Sequence, residues 1–218
     1  MSATMAMSSC SGTTEEVATT NENTKEVTAQ EAPELSDLMV MVTMDNFSDW
    51  KSKAFDSDAE RRATVCDEAR TTVAKVDDNT ALVLMYDVDV AKMSSFMTAE
   101  AMEELKKAFG AEHKVMPMVK PGAPGEGPSH GDVLVVVDMD DYSAWRSQAF
   151  DPDAERRATV CDEDRTLVGK VNDKKAVVGM FNVDLAGMGA FMTEEAMKEL
   201  KEAFGAEHTV YALINPEA

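Results

Sequence analysis

The chain is built from one sequence unit that occurs twice. Residues 37–119 and 132–214 align without a gap at a constant offset of 95, and about 51 of the 83 aligned positions are identical. Identity of this extent at a fixed offset indicates duplication and fusion of a single unit. The fold must therefore consist of two copies of one arrangement of helices and strands, each copy of small-domain size.

The segments outside the repeats differ from them in composition. Residues 1–36 are rich in Ser, Thr, Glu, Ala and Asn and lack the features of a signal or transit peptide, which predicts a disordered acidic tail. Residues 120–131 contain three prolines and four glycines, which predicts a linker that spans roughly 35 Å when extended. The expected regions are the tail 1–36, repeat one over 37–119, the linker 120–131 and repeat two over 132–218.

Four stretches of each repeat have the composition of β-strands. In repeat one the first and third, 38–44 and 81–88, are almost continuously apolar, as expected of strands covered on both faces. The second, 70–76, mixes polar and apolar residues, and the fourth, 113–119, contains Pro117, which cannot donate to a sheet. We therefore expect the second and fourth strands at sheet edges.

Two helical regions separate these strands. The first carries an apolar stripe at helical spacing, formed by Phe47, Trp50, Ala54 and Phe55. In repeat two, Asp151 followed by proline resembles a helix cap with proline at the first helical position.

The second helical region has its own start and stop signals. Asp89 is expected to cap its beginning, Thr98 to cap its continuation, and Gly110 to end it. Asp184, Thr193 and Gly205 are the equivalent residues of repeat two.

The element order is therefore β-α-β-β-α-β, twice, which predicts an α+β fold of two tandem ferredoxin-like units. Helices cover one face of each sheet, yet the first and third strands are apolar on both faces. The other repeat is the economical cover for the second face, with the sheets packed together and their edges joined into a barrel. We expect a monomer with an internal pseudo-dimer, a closed α/β barrel within one chain.

Several of these features resemble the dimeric α/β-barrel superfamily, which includes antibiotic-biosynthesis-type monooxygenases. The resemblance rests on segments 45–50 and 140–145, in which Asp and an aromatic residue precede Trp, on a later arginine, on the strand-to-cap step at Asp89, and on the Phe-Met-Thr segment that begins at Phe96. It implies the barrel fold, but its members include cofactor-independent oxygenases, haem-degrading oxygenases, isomerases and non-catalytic proteins, so it names no reaction. The Asn, Trp and His trio of the haem-degrading members has no counterpart in this sequence.

The net charge of the chain argues against some classes of binding partner. Acidic residues number 41 against 21 basic ones, a net charge of −20 spread along the chain. Such a surface repels phosphate backbones and anionic lipid head groups, so nucleic acid and membrane surfaces are not expected partners. Three cysteines without a framework spacing, and no apolar stretch long enough to cross a bilayer, favour a soluble protein of a reducing compartment, the cytoplasm.

The longest run that is identical in both repeats is residues 58–68, matched by 153–163. This run lines a site in each half, or it reflects recent duplication and local salt bridges. Within it, Arg62 and Arg157 are candidates for contact with an anionic or carbonyl group, because the planar guanidinium binds in a bidentate manner.

The same run contains Cys66, whose equivalent is Cys161. Each is a candidate nucleophile or redox-sensitive thiol if a neighbouring arginine lowers its pKa. The alternative is a buried free cysteine that packs as a small apolar residue.

His113 and His208 begin the last strand of each repeat, directly after Glu112 and Glu207. Each histidine is a candidate general base if it points into a cavity, with the glutamate orienting it, or it is exposed at a strand end. Two histidines in separate repeats, without ligand-spaced partners, predict no zinc site, and no cofactor is expected.

Aromatic residues complete the candidate ligand site. Trp50 and Trp145 contact a ligand or belong to the core, and Tyr86 is a further candidate ligand contact. The sequence favours a small-molecule-binding protein with one pocket per repeat, between the sheet and the helices. A cofactor-free monooxygenase or an isomerase that acts on an apolar, carbonyl-bearing ligand would be such a protein. The alternative is a non-catalytic stress-response or assembly protein.

Overall fold

The computed structural model describes residues 34–121 and 128–215. It is an α+β fold in which eight antiparallel strands form one closed barrel, so the predicted closure is confirmed. The strands are β1 Leu35–Thr43, β2 Thr72–Lys75, β3 Thr80–Asp89, β4 Glu112–Val119, β5 His130–Asp138, β6 Leu167–Asn172, β7 Lys175–Asp184 and β8 Glu207–Leu213.

The strand order around the barrel is β1-β3-β2-β6-β7-β5-β8-β4. Strands β1 and β3 are therefore internal to the first half, and β2 and β4 are its outer strands, as the mixed composition of β2 and Pro117 of β4 predict. The halves join where Lys75 of β2 lies opposite Lys170 of β6, and where Met118 of β4 lies opposite Leu213 of β8. Both junctions are short, because each pairs only the ends of two strands.

Helices lie between the strands of each half. They are α1 Phe47–Trp50, α2 Ala59–Arg62, α3 Val90–Met97, α4 Glu100–Phe109, α5 Tyr142–Trp145, α6 Ala154–Arg157, α7 Leu185–Thr193 and α8 Glu195–Phe204. Between α1 and α2 the chain stays helical, as a π-helix over Lys51–Phe55 and a 3-10 turn over Asp56–Asp58. The second half repeats this with a π-helix over Arg146–Phe150 and a 3-10 turn over Asp151–Asp153, and adds a 3-10 turn at Glu163–Arg165. The predicted first helix is thus present but irregular.

The helix caps agree in part with those predicted from the sequence. Asp89 Oδ1 accepts a hydrogen bond from the Lys92 amide at 3.0 Å, and Gly110 ends α4 with a φ of +58°, both as predicted. The prediction for Thr98 is wrong, because its hydroxyl donates to a carbonyl of α3 and gives α4 no cap. A 3-10 turn with Pro152 in its first turn begins at Asp151, as predicted, but the Asp151 carboxylate pairs with Arg146 at 2.6 Å and caps no helix.

The two faces of the sheet form separate cores. Alternate residues of β1, such as Leu38 and Val42, point outward and pack with Trp50 under the helices. The residues between them, such as Met39, point into the barrel, where side chains from both repeats form one cluster that includes Leu134. We call this cluster the barrel interior. Met39 and Leu134 are fully buried, and truncation of such a side chain to alanine costs about 2–5 kcal/mol.

The first strands of the two repeats begin at equivalent positions. Strand β1 begins at Leu35 and β5 at His130, each two residues before the boundary drawn from composition. Most of the expected tail and linker, and Cys10, lie outside the described residues. No helix in the described part is long and apolar enough to span a membrane.

Candidate functional site

A cavity lies between the outer face of the barrel and the helices in each repeat. The first-repeat cavity measures about 70 Å³ and the second-repeat cavity about 100 Å³. Each is lined by 19 residues, and the two sets occupy equivalent positions, 95 residues apart, without exception. We call them pocket one and pocket two. Duplication has therefore preserved a complete pocket in both halves.

The linings have diverged far less than the rest of the repeats. Of the 19 paired lining positions, 18 are identical, and only Leu38 and Val133 differ. The barrel interior provides a comparison, because it is also a buried, largely apolar set of residues. Its residues occupy ten paired positions, of which only Val76 and Val171 are identical. Burial in itself therefore does not require identity, and the outer core as a whole, including its positions away from the pockets, is largely identical in the two repeats.

The irregular helix shapes one wall of each pocket. In repeat one, Trp50, Ala54 and Phe55 all line pocket one, and the rings of Trp50 and Phe55 lie 5.3 Å apart between centroids. Ala54 and Phe55 lie within the π-helix and continue the apolar stripe that Trp50 begins. Trp50 and Trp145 are each 5% exposed, so they are core residues that also face the cavity.

His113 lies on β4, opposite Val42 of β1, and lines pocket one. Its Nδ1 atom is buried and has no hydrogen-bond partner in the described part of the chain. Burial, and secondarily the nearby Lys106 ammonium, lowers the pKa of this imidazole to about 4. The ring is therefore neutral at pH 7 and presents an unsatisfied nitrogen.

His208 repeats this environment in pocket two. Its Nδ1 is likewise buried without a partner among the described residues, and burial with the Lys201 ammonium lowers its pKa to about 4. A buried polar atom left unpaired costs about 1–3 kcal/mol. Water or another hydrogen-bonding group is therefore expected to pair with each of these nitrogens.

Arg62 lines pocket one, but it is already bound within the protein. Its Nε lies 3.0 Å and its Nη2 2.5 Å from the two carboxylate oxygens of Glu68, and Nη1 donates to the Phe55 carbonyl. The guanidinium also stacks over the Phe55 ring at 3.6 Å. Arg157 makes the equivalent contacts with Glu163 and Phe150. These contacts fix the wall of the pocket and neutralise the charge, so a ligand contact by either arginine stays a prediction.

Two further polar residues of each lining were not among the sequence candidates. Asp58 pairs with Arg61 at 2.8 Å, and Lys106 donates to Glu103 at 2.6 Å and to the Met97 carbonyl at 3.1 Å. Both positions are identical in the two repeats, and Asp58 belongs to the longest identical run, so the sequence carried a signal for them. Four methionines also line each pocket.

Cys66 and Cys161 do not line the pockets. Each packs against the outer core, and each thiol donates to the carbonyl of the preceding arginine, Cys66 to Arg62 at 3.4 Å. Burial raises the pKa of both thiols, and the lowering effect of Arg62 or Arg157 is smaller. The surroundings therefore disfavour the thiolate that a nucleophile requires. Thus Arg62 and His113 share one cavity, and Cys66 stands outside it.

Tyr86 also lies away from both pockets, because it packs against the barrel interior on the opposite face of β3. Burial and the neighbouring Tyr211 raise its pKa to about 12, and the Arg70 guanidinium lies 4.4 Å over its ring. Its neighbour Met85 faces pocket one instead.

Among the described residues, no group of three or more His, Cys, Asp or Glu side chains is placed to hold a metal ion. The polar groups of each pocket are instead one histidine, one arginine, one aspartate and one lysine in an apolar wall. Such a lining suits an apolar molecule with one or two polar atoms.

The closed eight-stranded barrel is consistent with the fold that the sequence resemblance implies. No family model and no curated protein matches it. A putative monooxygenase from Fusobacterium nucleatum is 12% identical over 82% of this chain and 91% of its own, with a TM-score of 0.29. A heme-binding protein from Thermus thermophilus is 13% identical (87% and 97% covered, TM-score 0.30), and a chlorite dismutase from Candidatus Nitrospira defluvii 10% (83% and 92%, TM-score 0.26). Structural similarity at these identities and TM-scores does not indicate an activity for this chain.

Proposed function

We propose that this protein binds small, largely apolar molecules that carry a hydrogen-bonding group such as a carbonyl, one in each pocket. The single observation that carries the proposal is the near-identity of the two linings, 18 of 19 positions, beside a barrel interior in which one of ten is identical. Ligands of similar shape in the two pockets restrain both linings in the same way. Packing restrains the barrel interior less strictly, because one apolar side chain there replaces another.

The ligand's polar atom is expected to meet the histidine. The Nδ1 atoms of His113 and His208 are the unsatisfied buried atoms of the two linings, and a carbonyl or hydroxyl at hydrogen-bond distance satisfies them. The apolar part of the ligand then contacts valines, methionines and the tryptophan.

Pocket volume limits the size of the ligand. A cavity of about 150 Å³ holds a benzene molecule, and the two pockets measure about 70 and 100 Å³. On this scale the enclosed part of each pocket holds about three to four non-hydrogen atoms, and a larger ligand extends out of the pocket toward solvent. A haem does not fit, since pockets for drug-sized ligands already measure about 300–1,000 Å³. We derive no step through a haem for this chain.

An enzymatic role, as a cofactor-free oxygenase or an isomerase, is the second candidate. The neutral histidine favours it, because a neutral imidazole that donates from Nδ1 polarises a carbonyl group. General-base catalysis at pH 7 is disfavoured, since a base with a pKa of about 4 accepts a proton weakly. In this candidate the histidine binds and polarises, and it does not abstract a proton.

We further propose that the two repeats are ferredoxin-like units that together reproduce a two-fold dimer within a monomeric chain. The matched strand order of the two halves and the equivalence of the two pockets support this arrangement.

Methionine-methyl NMR tests the binding proposal, because each pocket has its own reporters. These are Met85, Met93, Met97 and Met102 in pocket one, and Met180, Met188, Met192 and Met197 in pocket two. Protein labelled with ¹³C at the methionine methyls is titrated with isovaleramide, a neutral amide of seven non-hydrogen atoms. We expect both sets to shift, while Met39 and Met116 of the barrel interior do not.

Pocket-filling variants supply the matched control. Ala54→Leu should abolish the shifts of pocket one alone, and Ala149→Leu those of pocket two alone, since each alanine lines one pocket. Shifts that survive both substitutions, or that spread equally to the barrel interior, would contradict the proposal. A protein that binds no small molecule but co-purifies with a stable partner would favour the assembly or stress-response class.

A further inference from the structure

The two pockets differ in the electrostatic environment of their lysines. In repeat one, Lys106 lines the pocket and its Nζ lies 2.6 Å from Glu103, one turn earlier on α4. Nζ also donates to the Met97 carbonyl at 3.1 Å. The ammonium of pocket one is therefore neutralised and held by the protein itself.

In repeat two the neutralising carboxylate is absent. Lys198 occupies the position equivalent to Glu103, and its ammonium pairs with Glu195 at 3.2 Å. Lys201 still lines pocket two, but within residues 34–121 and 128–215 its ammonium makes neither an ion pair nor a hydrogen bond. The change from Glu103 to Lys198 is one of the few sequence differences next to the two pockets, and it replaces a negative charge with a positive one.

The other charged residues of pocket two compensate one another. Asp153 is held by Arg156 at 2.5 Å, and the Arg157 guanidinium by Glu163. Arg156 also reaches the exposed Glu194 at 2.6 Å. Lys201 is therefore the uncompensated charge at a cavity whose wall is mostly apolar, and a charge attracts its counter-ion more strongly there than in open water.

We propose that pocket two selects a small carboxylate with a short branched or cyclic apolar body, whereas pocket one takes the neutral carbonyl-bearing counterpart. This inference rests on the proposed binding function and assigns the ligand charge of each pocket. The carboxylate lies between the Lys201 ammonium and His208, which both line the cavity, and the apolar body contacts the methionines and valines. Residues 103 and 198 set the preference without touching the ligand, by pairing or not pairing with the pocket lysine.

Lys201 and His208 line the same cavity, so one ligand in pocket two can meet both side chains. The Lys201 ammonium lowers the pKa of His208, which requires that the two groups interact through space. In pocket one Glu103 opposes the same effect of Lys106 on His113. The difference in charge between the two pockets therefore affects the histidine whose Nδ1 atom is expected to contact the ligand.

The test compares isovalerate with isovaleramide, which have nearly the same shape but differ in charge. Both are titrated into ¹³C-methionine-labelled full-length protein, and dissociation constants are read separately from the four methionines of each pocket. We expect isovalerate to bind pocket two roughly five- to tenfold more tightly than pocket one, the effect of one charge-assisted contact. Isovaleramide should bind the two pockets with similar affinity.

Charge-exchange variants separate this inference from the general proposal. Lys198→Glu, which places a carboxylate near Lys201, should reduce the preference of pocket two for isovalerate, and Glu103→Lys should create that preference in pocket one. Neither residue lines a pocket, so isovaleramide binding should be unchanged. Equal affinity of isovalerate for both pockets, with normal isovaleramide binding, would overturn the inference but leave the binding function intact. Binding of neither compound to either pocket would overturn both.

Discussion

Glu68 holds Arg62 with both carboxylate oxygens, at 2.5 and 3.0 Å from the guanidinium, and so anchors one wall of pocket one. Arg62 is 5% exposed, so its charge depends on this partner. We expect Glu68→Gln to lower the free energy of unfolding by about 2–3 kcal/mol, because it leaves a buried charge unpaired. Urea denaturation measures the change.

An exposed ion pair is the control for this effect. Lys53 and Asp49 pair at 2.7 Å with both side chains more than half exposed, and Lys53→Met should cost about 0.5 kcal/mol or less. Equal losses for Glu68→Gln and Lys53→Met would show that the Arg62 charge is not dependent on Glu68. Glu163→Gln should reproduce the larger loss in repeat two.

The histidines should make stability depend on pH between about 4 and 6.5. Their pKa is about 4 in the folded chain and about 6.5 when unfolded, so the unfolded chain binds more protons within this window. Lowering the pH from 6.5 to 4 therefore destabilises the fold, by about 1–2 kcal/mol for each partly buried ring. Urea unfolding at pH 7 and 4.5 measures this loss. The double variant His113→Gln/His208→Gln should lose less over the same interval, and an unchanged loss would refute the assignment.

Gly110 should tolerate no side chain. Its φ of +58° is left-handed, and a Cβ would lie 2.5 Å from Oδ1 of Asp45. Gly110→Ala should therefore destabilise the protein by about 1–2 kcal/mol, as judged by thermal or urea unfolding.

Gly189 provides the opposite case on α7. A Cβ there meets nothing within 4 Å, so Gly189→Ala should stabilise the protein by about 0.5–1 kcal/mol. If the two alanine variants changed stability in the same direction, the backbone explanation would fail.

The thiols of Cys66 and Cys161 should react slowly. Burial raises the pKa of both, which lowers the thiolate fraction at neutral pH. We expect alkylation by iodoacetamide at pH 7.5 to be roughly tenfold slower than that of glutathione, followed residue by residue by mass spectrometry. Reaction as fast as the free thiol would restore a nucleophilic role.

The repeat and its apolar periodicity predicted the element order and the closed barrel, because strands with two apolar faces require cover on both. They did not predict the π-helix over Lys51–Phe55, since an apolar stripe at these spacings fits a regular helix as well. Nor did they predict that Thr98 leaves α4 uncapped, because its hydroxyl is bound by the preceding turn.

The pockets contain the candidate histidines, arginines and tryptophans, but not Cys66, Cys161 or Tyr86. Residues next to each other on a strand face opposite sides, so Met85 lines pocket one and Tyr86 faces the barrel interior. Because β3 is apolar on both faces, its composition does not show which of these two residues faces the pocket. Lys106 was missed because its role depends on Glu103 and on the cavity, which are brought together only in the folded chain.

A crystal structure of the protein soaked with isovaleramide tests the central claim most directly. It should place one molecule in each pocket, with a polar atom about 3 Å from Nδ1 of His113 and of His208. Pockets filled by the protein's own side chains in both halves, with no bound molecule, would contradict it.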